Sequence, residues 1–365
     1  MEIKIVVVDI TLKGGIERVT SLIAPKLVEQ GFDVQIISLF KRNIAPYYDI
    51  DTSVDIRYMT NSNYDSSSFF LSIKTFMNIF LSCLKLANTN KQNCLFISFF
   101  PNASVSLGII TYFIRNIRFI ASEHSQYYAH SVLVRALRKL FYKRSKAIIT
   151  LTKNDQSIFE HEIQNAKTYQ IYNPVSFEIE PSACLKNRRI ISIGRLESVK
   201  GYDFLIEQMV PFFNKYPNWT LDIYGDGPLK NELNAKIQSI GLEKNIYLKG
   251  FTKNIQSEIA NSSFYVCSSL TEAFPMAFLE AFSRGMPIVS VDCPVGPREI
   301  IDHELNGLLL CEEIPTFTSA LTLMIENDKL YNEYSLNAID KVKKFSINSI
   351  IKEWLELLRE VDGKK

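Results

Sequence analysis

Short apolar runs alternate with segments of helical apolar spacing along nearly the whole chain. The runs are residues 5–8, 34–39, 95–100, 119–121 and 148–151 in the first half, and residues 190–193, 221–224, 246–248, 264–267 and 288–291 in the second. Runs of this length between helices are typical of buried strands in a parallel sheet with crossover helices. The pattern therefore predicts an α/β protein with two doubly wound domains.

The length of the chain also favours two domains. Its 365 residues exceed what one hydrophobic core usually serves. A polar connection with two prolines, residues 173–187, separates the two strand series and is the predicted seam. We expect a first domain over residues 1–175 and a second over residues 186–347. The longest apolar stretch, residues 69–87, contains two lysines and has the spacing of an amphipathic helix, which favours a packed helix over a membrane span.

Composition narrows the class of protein. A net charge of +2 with 22% charged residues is ordinary for an enzyme and lacks the basic excess of a general nucleic-acid binder. The six cysteines are scattered without a Cys-x-x-Cys pair, which indicates reduced core residues and neither a zinc site nor a disulfide framework. The chain enters its first strand without a basic and apolar leader, so we expect a cytoplasmic protein.

Residues 270–285, with the sequence L-T-E-A-F-P-M-A-F-L-E-A-F-S-R-G, contain the most informative candidate site. A helix is predicted to begin at Pro275 and to end near Gly285. Glu272 lies in the loop before this helix, and Glu280 lies about one and a half turns inside it. Free backbone N–H groups between these carboxylates would bind the phosphates of a sugar nucleotide. These groups belong to Met276, Ala277 and Phe278. The alternative is a surface helix with two solvated glutamates.

Loops after three other strands of the second half contain candidate contacts for the rest of a nucleotide. Arg195 and Lys200, in G-R-L-E-S-V-K-G, combine a forked and a compact cation, as a pyrophosphate leaving group requires. Gly225 lies in a glycine turn that closes the following strand. Phe251 and Thr252 lie in K-G-F-T-K, whose backbone could hydrogen-bond a nucleobase edge. The alternative for K-G-F-T-K is an ordinary connecting loop.

Two loops of the first half also lie at predicted strand ends. Gly14 and Gly15 precede a helix and would let the backbone approach a phosphate or an acceptor. The alternative is that they only form a tight turn between strand and helix. The pair lacks the three-glycine dinucleotide fingerprint and a placed ribose-binding carboxylate, which disfavours NAD. Glu123 and His124, in A-S-E-H-S, are expected to face a cleft between the domains. For His124 a structural role is the alternative to a functional one.

A basic face is predicted on the helix that follows. Placed on a helix, five cations fall on one stripe with Tyr142, while four apolar residues face away. The cations are Arg135, Arg138, Lys139, Lys143 and Lys146; the apolar residues are Leu133, Leu137, Leu140 and Phe141. Such a stripe suits anionic lipid headgroups or a lipid-linked phosphate acceptor. The alternative is a solvated outer face.

Taken together, these motifs resemble glycosyltransferase family 4, a group of retaining enzymes with the two-domain, Rossmann-like GT-B fold. The matching segments occur in the family's order: G-G-I-E-R-V, S-E-H-S, G-R-L-x-x-x-K-G, G-D-G-P, E-A-F-P-M-A-F-L-E-A and G-P-R-E-I-I-x-x-x-x-N-G-L-L. In detail the chain most resembles bacterial members that build O-antigen, capsule, exopolysaccharide or lipooligosaccharide. The segments S-E-H-S and V-D-C-P-V-G-P-R-E-I-I carry that finer resemblance.

The resemblance implies a role for each candidate residue. Gly15, beside Gly14, would lie against phosphate and acceptor, His124 would contact the donor sugar, and Arg195 with Lys200 would neutralise the diphosphate. Glu272 would hold sugar hydroxyls, Glu280 would bind the ribose, and the loop at Phe251 and Thr252 would meet the base. The backbone of Ala273, Phe274, Pro275, Met276 and Ala277 would cradle sugar and phosphate. The family usually has glycine, and sometimes alanine, where this chain has Ala273, and the added methyl group would slightly narrow the donor-sugar pocket. The last helix, about residues 348–365, would cross back onto the first domain.

The resemblance also implies the chemistry. A retaining transfer without an enzymic nucleophile lets the leaving diphosphate take the acceptor's proton, so the protein acts by positioning and electrostatic stabilisation and needs no metal. Asp49 and Asp51 form a D-x-D, a metal-binding pattern in other sugar transferases, but no further acidic residues accompany them and no metal site is predicted.

We therefore expect an enzyme that transfers a hexose or N-acetylhexosamine from a nucleotide sugar, with UDP favoured, to a lipid-linked glycan. It would act peripherally at the cytoplasmic face of the inner membrane. The alternatives are a soluble acceptor, as in sucrose- or trehalose-type synthases, and a catalytically silent subunit that binds a nucleotide sugar.

Overall fold

The computed structural model describes residues 1–61, 69–89 and 94–363, except the side chains of residues 69–71. The chain divides into two compact units. One comprises Met1–Pro174 with Ile347–Lys365, and the other comprises Val175–Ser346. Within the described residues, no helix is both long and apolar enough to cross a bilayer.

The first unit is built on a seven-stranded parallel sheet with the order β3-β2-β1-β4-β5-β6-β7. Its strands are β1 (Glu2–Val7), β2 (Asp33–Ser38), β3 (Asp55–Tyr58), β4 (Cys94–Ser98), β5 (Arg118–Glu123), β6 (Ala147–Thr150) and β7 (Thr168–Gln170). Its helices are α1 (Gly15–Glu29), α2 (Phe69–Asn88), α3 (Pro101–Ile110), α4 (Val132–Phe141) and α5 (Lys153–Glu162). The central strands are buried on both faces, which explains why they appear in the sequence as unbroken apolar runs.

The second unit is built on a six-stranded parallel sheet with the order β10-β9-β8-β11-β12-β13. Its strands are β8 (Arg189–Ile193), β9 (Thr220–Tyr224), β10 (Ile246–Gly250), β11 (Phe264–Cys267), β12 (Ile288–Val291) and β13 (Gly307–Leu310). Its helices are α6 (Tyr202–Gln208), α7 (Val210–Lys215), α8 (Lys230–Ser239), α9 (Ile255–Ala260), α10 (Met276–Ser283), α11 (Pro297–Ile300), α12 (Phe317–Ile325) and α13 (Asp328–Lys343). The strand order reverses between β8 and β11, and ligands bind beside such a reversal in open α/β sheets.

The last helix, α14 (Ile347–Asp362), belongs to the first unit. Its buried Trp354 packs against Phe99, with ring centroids 6.2 Å apart. Near its end, the guanidinium of Arg118 donates to the carbonyl oxygen of Val361 at 2.8 Å. The described part of the chain ends at residue 363, so the last two residues of the predicted helix lie outside it.

The predicted basic stripe on α4 is wrong for Arg138 and for Tyr142. Both side chains are fully buried. Arg138 forms an ion pair with Glu123 at 2.5 Å, and the Tyr142 hydroxyl donates to the other carboxylate oxygen. The physical reason is that Glu123, at the end of β5, is a buried carboxylate. A carboxylate in the interior requires a cation and a hydrogen-bond donor beside it. The helix is therefore oriented so that Leu133 and Leu140, which were predicted to face away from the stripe, lie exposed.

The other cations of the stripe have separate environments. Arg135 is half-buried, with its guanidinium 5.4 Å from the centre of the Tyr128 ring. Lys139 is exposed and forms an ion pair with Glu162 of α5. Lys143 and Lys146 are exposed but follow the end of α4, so they do not belong to a helical stripe.

Replacing Arg138 by Met should destabilise the first unit by about 3–5 kcal/mol, because it leaves the buried Glu123 carboxylate without its cation. The chain has two tryptophans, one in each unit, so urea unfolding of a Trp219→Phe background can be followed by Trp354 fluorescence. Lys139→Met is the matched control, since its exposed ion pair with Glu162 should contribute far less to stability. Equal losses in the two variants would contradict the assignment of Arg138 to the core.

Candidate functional site

Two loops at the carboxyl ends of neighbouring strands β8 and β11 are held together by short contacts. The Ser268 hydroxyl donates to the carbonyl oxygen of Lys200 at 2.8 Å, and the Leu270 amide donates to that of Val199 at 2.9 Å. Gly201 has a φ of +63°, and a Cβ there would lie only 2.3 Å from the Ser268 carbonyl oxygen. Only glycine therefore permits this approach, which fixes the two loops as one structural element.

This contact between the loops places Lys200 against Glu272. The Lys200 ammonium lies 2.6 Å from Oε1 of Glu272, and both side chains are largely buried. The Ser269 hydroxyl donates to the same oxygen at 2.7 Å. Sequence reasoning assigns Lys200 to a diphosphate and Glu272 to sugar hydroxyls, whereas the structure joins them in one ion pair. An anion that binds Lys200 would compete with Glu272 and release its carboxylate for other hydrogen bonds.

A third loop supports Glu272 from behind. Gly296, just before α11, has a φ of +97°, and a Cβ there would lie 2.9 Å from the carbonyl oxygen and 3.0 Å from the Cβ of Glu272. Sequence reasoning assigned no role to Ser269 or Gly296. The available signals were a Ser-Ser pair ahead of the acidic residue and a Gly-Pro step after β12.

Helix α10 begins one residue later than predicted. Pro275 is its N-cap residue and provides no side-chain cap, and the Phe278 amide donates to the Pro275 carbonyl oxygen at 2.9 Å. The prediction that Phe278 offers a free N–H is therefore wrong. Met276 and Ala277, the first two helical residues, have no acceptor within their own helix and are half-exposed. These two amides and the positive end of the helix dipole form a small seat for an anion.

Glu280 is not a solvated surface residue. Its side chain is 3% exposed, and its Oε1 accepts a hydrogen bond of 3.0 Å from the Ser176 hydroxyl. This burial removes the surface-helix alternative for Glu280. Ser176 was not identified from the sequence, because it lies about a hundred residues earlier, in the predicted seam between the domains.

The remaining predicted contacts are distributed over loops at the same edge of the second sheet. Arg195 follows β8, but its side chain is 72% exposed and pairs with Glu197 at 3.0 Å. Gly225 follows β9 with a φ of +139°, and a Cβ there would lie 1.9 Å from the Gly194 carbonyl oxygen. Phe251, which follows β10, is exposed, and the Thr252 hydroxyl accepts from the Asn254 amide.

Ala273, Phe274 and Pro275 complete the predicted cradle. Ala273 is half-exposed, whereas Phe274 and Pro275 are buried, and the Phe274 ring lies 5.9 Å from that of Phe345. Only the backbone of the last two can therefore meet a ligand. Elsewhere in the second unit, a surface pocket of about 460 Å³ beside Trp219 and Lys215 contains none of the predicted site residues.

In the first unit, His124 directly follows β5 and is partly buried. Its ring lies 4.7 Å from that of Phe99, and its Nε2 lies 3.2 Å from the Ser122 hydroxyl. Burial lowers the pKa of His124 to about 4, so the imidazole is neutral at pH 7. His130, 2.7 Å from the Ser125 hydroxyl, also has its pKa lowered to about 4 by burial and by Arg138.

Gly14 and Gly15 lie at the N-terminus of α1, where a carboxylate of the same helix is already present. A Cβ at Gly14 would lie 2.1 Å from Oε2 of Glu17. Burial raises the pKa of Glu17, backbone hydrogen bonds at Glu17 and Gly14 oppose this, and the charge of Asp9 adds to it. A phosphate approaching Gly15 would therefore meet Glu17, a residue of the G-G-I-E-R-V segment to which sequence reasoning gave no role.

Asp51, of the D-x-D pattern, has a local structural partner. Its Oδ1 accepts from the Ser53 amide at 2.8 Å, and this bond lowers the pKa of Asp51. Across residues 1–61, 69–89 and 94–363, no three His, Cys, Asp or Glu side chains gather as a metal site would require.

Comparison with protein families matches both halves of the chain. Residues 13–178 match the model "Glycosyltransferase Family 4", and residues 178–341 match "Glycosyl transferases group 1".

Individual relatives agree with these matches. A Haemophilus influenzae protein described as an uncharacterized glycosyltransferase is 29% identical over 96% of this chain and 98% of its own length. A protein of Methanocaldococcus jannaschii with the same description is 33% identical over 63% of this chain and 67% of its own length. A Campylobacter jejuni protein, the GalNAc-alpha-(1->4)-GalNAc-alpha-(1->3)-diNAcBac-PP-undecaprenol alpha-1,4-N-acetyl-D-galactosaminyltransferase, is 24% identical over 95% of this chain and 96% of its own length.

Solved structures share the fold. TarM of S. aureus, determined as a point mutant with Fondaparinux, alpha-GlcNAc-glycerol and UDP, aligns with a TM-score of 0.81 at 16% identity, over 98% of this chain and 99% of TarM. Anabaena HepE, determined with UDP and glucose, aligns with a TM-score of 0.76 at 18% identity, over 98% of this chain and 99% of HepE. The predicted two-domain GT-B fold is thereby confirmed.

Lowering the pH from 7 to 5 should destabilise the first unit. The folded pKa of His124 is about 4, below the unfolded value of about 6.5, so between these values only the unfolded state takes up the proton. Stability is therefore lost as the pH falls below about 6.5, by up to about 2 kcal/mol at pH 5. His124→Gln should show a smaller loss over this interval, measured by urea unfolding at both pH values.

The exposed His161 provides the control, because its side chain is 86% exposed in the same unit. His161→Gln should lose as much stability between pH 7 and pH 5 as the unsubstituted protein. An unchanged pH dependence in His124→Gln would show that this imidazole is not held neutral by the fold.

Proposed function

The chain belongs to the glycosyltransferases, with a family 4 segment followed by a group 1 segment, and on this premise we propose that it transfers a sugar from a nucleotide donor with retention of configuration. The proposed donor is a UDP-linked hexose or N-acetylhexosamine. The proposed acceptor is a lipid-linked glycan in the synthesis of a bacterial surface polysaccharide. The enzyme would act peripherally at the cytoplasmic face of the inner membrane.

The observation that supports this proposal most strongly is the ion pair of Lys200 and Glu272. Glu272 lies four residues before Met276, the first residue of α10. A cation, a carboxylate and two amides without an acceptor in their own helix are the three kinds of group that a nucleotide sugar needs at its diphosphate and sugar. Lys200 and Glu272 are brought together by contacts between neighbouring strand-end loops, and the two amides lie at the N-terminus of the helix that follows Glu272. The backbone of the loops is therefore organised before a ligand binds, and binding would require only that the side chains of Lys200, Glu272 and Arg195 exchange partners.

In the proposed complex, Lys200 and Arg195 bind the diphosphate together with the amides of Met276 and Ala277. Arg195 is exposed and can turn from Glu197 toward a ligand, since surface ion pairs are weak. Glu272, released from Lys200, accepts hydrogen bonds from the hydroxyls of the transferred sugar. Glu280 is proposed to accept from the ribose hydroxyls, and the loop at Phe251 and Thr252 to contact the base.

The proposed reaction needs no protein nucleophile. The bond between the anomeric carbon and the diphosphate oxygen breaks, the acceptor oxygen bonds to the same face of that carbon, and the acceptor's proton passes to the diphosphate. Negative charge grows on the leaving group, where fixed cations and amides stabilise it most effectively. We propose that these groups supply the positive potential that a metal ion provides in other enzymes. His124, as a neutral imidazole, would donate or accept a hydrogen bond at the donor sugar.

The choice of donor and acceptor rests on similar proteins. TarM and HepE were both determined with UDP. The name of the Campylobacter relative specifies an undecaprenol-linked acceptor. The acceptor proposed for this chain has the same chemical character, a glycan on a diphosphate-linked lipid.

Two substitutions should separate the two halves of the donor in calorimetric titrations with UDP and with a panel of UDP-sugars. Lys200→Met should weaken UDP by about tenfold or more, because it removes a cation from the diphosphate. Glu272→Gln should not weaken UDP, and should strengthen it to the extent that Glu272 competes with the diphosphate for Lys200. It should abolish the additional affinity of the preferred UDP-sugar, because Glu272 is assigned to the sugar.

Lys230→Met serves as the control, since that lysine is exposed on α8 and has only a distant ion-pair partner. It should change neither titration. If Glu272→Gln weakens UDP and UDP-sugar equally, the assignment of Glu272 to the sugar is wrong. If no nucleotide binds the unsubstituted protein, the donor site itself is wrong.

A further inference from the structure

Exposed apolar side chains are concentrated on one layer of helices in the first unit. Helix α3 packs against both α2 and α4. On these helices and the turn after α3, eight large apolar side chains are 50–81% exposed. They are Ile73, Met77 and Leu81 on α2, Tyr112 and Phe113 after α3, and Val132, Leu133 and Leu140 on α4. We call this layer the apolar helix face.

The members of this face are arranged as a surface. Ile73, Met77 and Leu81 are spaced four residues apart, so they form one ridge along α2. Contacts join the end of α3 to α4. The rings of Tyr112 and Phe141 lie 6.0 Å apart, and a Cβ at Gly108 would lie 2.7 Å from the Cβ of Phe141. Folded proteins rarely leave several large apolar residues exposed on adjoining elements without a partner for them.

The same part of the chain carries a strong excess of positive charge. Residues 66–154 contain twelve lysines and arginines but one carboxylate, Glu123, whereas the whole chain has a net charge of only +2. Glu123 is buried against Arg138 and contributes no negative charge to the surface. Exposed cations occur on or just after the same three helices. They are Lys74 and Lys85 on α2, Arg115 after α3, and Lys139, Lys143 and Arg144 on or after α4.

One of these cations contacts an aromatic residue of the face, and another is paired with a carboxylate. The Arg144 guanidinium lies 4.3 Å from the centre of the exposed Tyr112 ring. Lys139 is paired with Glu162 of the neighbouring helix α5. The surface therefore presents aromatic and aliphatic groups beside cations, in the manner of interfacial helices at anionic lipid.

We propose that the apolar helix face docks onto an anionic lipid bilayer by shallow insertion. Ile73, Met77, Leu81, Phe113, Leu133 and Leu140 would enter the boundary between headgroups and acyl chains, and the surrounding cations would contact the anionic headgroups. A polyanion such as nucleic acid would satisfy the cations but would leave the aliphatic side chains in water. This contact differs from one made by the charged stripe predicted on α4 alone. Burial of apolar side chains supplies part of its affinity, and salt does not screen that part.

This inference extends the proposed function, because it states how the enzyme would reach a lipid-linked acceptor. Binding to vesicles needs neither donor nor acceptor. A protein that binds vesicles but not UDP would refute the proposed donor site only, and the reverse result would refute the docking face only.

The test is co-sedimentation of the full chain with vesicles of phosphatidylcholine, with or without about one third phosphatidylglycerol, at about 0.1 M and about 0.5 M salt. The unsubstituted protein should bind the anionic vesicles and retain part of that binding at the higher salt. Met77→Ser/Leu81→Ser and Leu133→Ser/Leu140→Ser should each weaken binding by at least about tenfold. Lys143→Gln/Arg144→Gln should weaken it mainly at the lower salt.

The matched control is Leu323→Ser/Leu336→Ser, which removes two exposed leucines from α12 and α13 of the second unit. It should leave vesicle binding within about twofold. Circular dichroism of each variant should match the unsubstituted protein, since every substituted side chain is exposed.

Three results would overturn the proposal. The first is no binding of the unsubstituted protein to anionic vesicles. The second is sensitivity to the charge variant alone, with binding lost at the higher salt and both apolar variants unaffected, which would mean a purely electrostatic contact. The third is binding of a DNA duplex with higher affinity than the vesicles and the same response to all variants, which would mean a nucleic-acid surface.

Discussion

The close approach of two strand-end loops is the constraint on which the site in the second unit depends. Gly201 lets the loop after β8 meet the carbonyl of Ser268 at the end of β11, and this contact brings Lys200 within 2.6 Å of Glu272. Ser269 and Gly296 then fix Glu272 from two further directions. Each charged group offsets part of the cost of desolvating the other, and Ser269 adds a hydrogen bond to the carboxylate. The same arrangement makes the pair responsive to an anion, since a diphosphate can replace the carboxylate on Lys200 and leave Glu272 free to bind a sugar.

A second buried ion pair has an equivalent role in the first unit. Glu123 at the end of β5 binds Arg138 and Tyr142 in the interior, and this fixes the segment that follows His124. It also determines the orientation of α4. Because Arg138 must point inward, Leu133 and Leu140 must point outward, on a helix that α3 joins to the apolar ridge of α2. One buried carboxylate therefore connects the position of a candidate catalytic residue with the composition of an outer surface.

Much of the fold could be predicted from the sequence, because the central strands are buried on both faces and form continuous apolar runs. The edge strands β3 and β7 are half-exposed and short, so they give no such signal. In the site, glycine spacing and helix punctuation located the loops, but the pairing of Lys200 with Glu272 depends on β8 and β11 being neighbours, which spacing cannot reveal. The error on α4 has a similar origin. Helical periodicity shows which residues share a face, whereas the side that turns inward was decided by a carboxylate on another element.

The most direct test of this account is a crystal structure of the protein with its preferred UDP-sugar. The diphosphate should lie on Arg195, Lys200 and the amides of Met276 and Ala277. The contact between Lys200 and Glu272 should be broken, with Glu272 bound to hydroxyls of the sugar and Glu280 near the ribose. A nucleotide bound elsewhere, or bound with the Lys200–Glu272 pair intact and the sugar away from Glu272, would contradict the central claim.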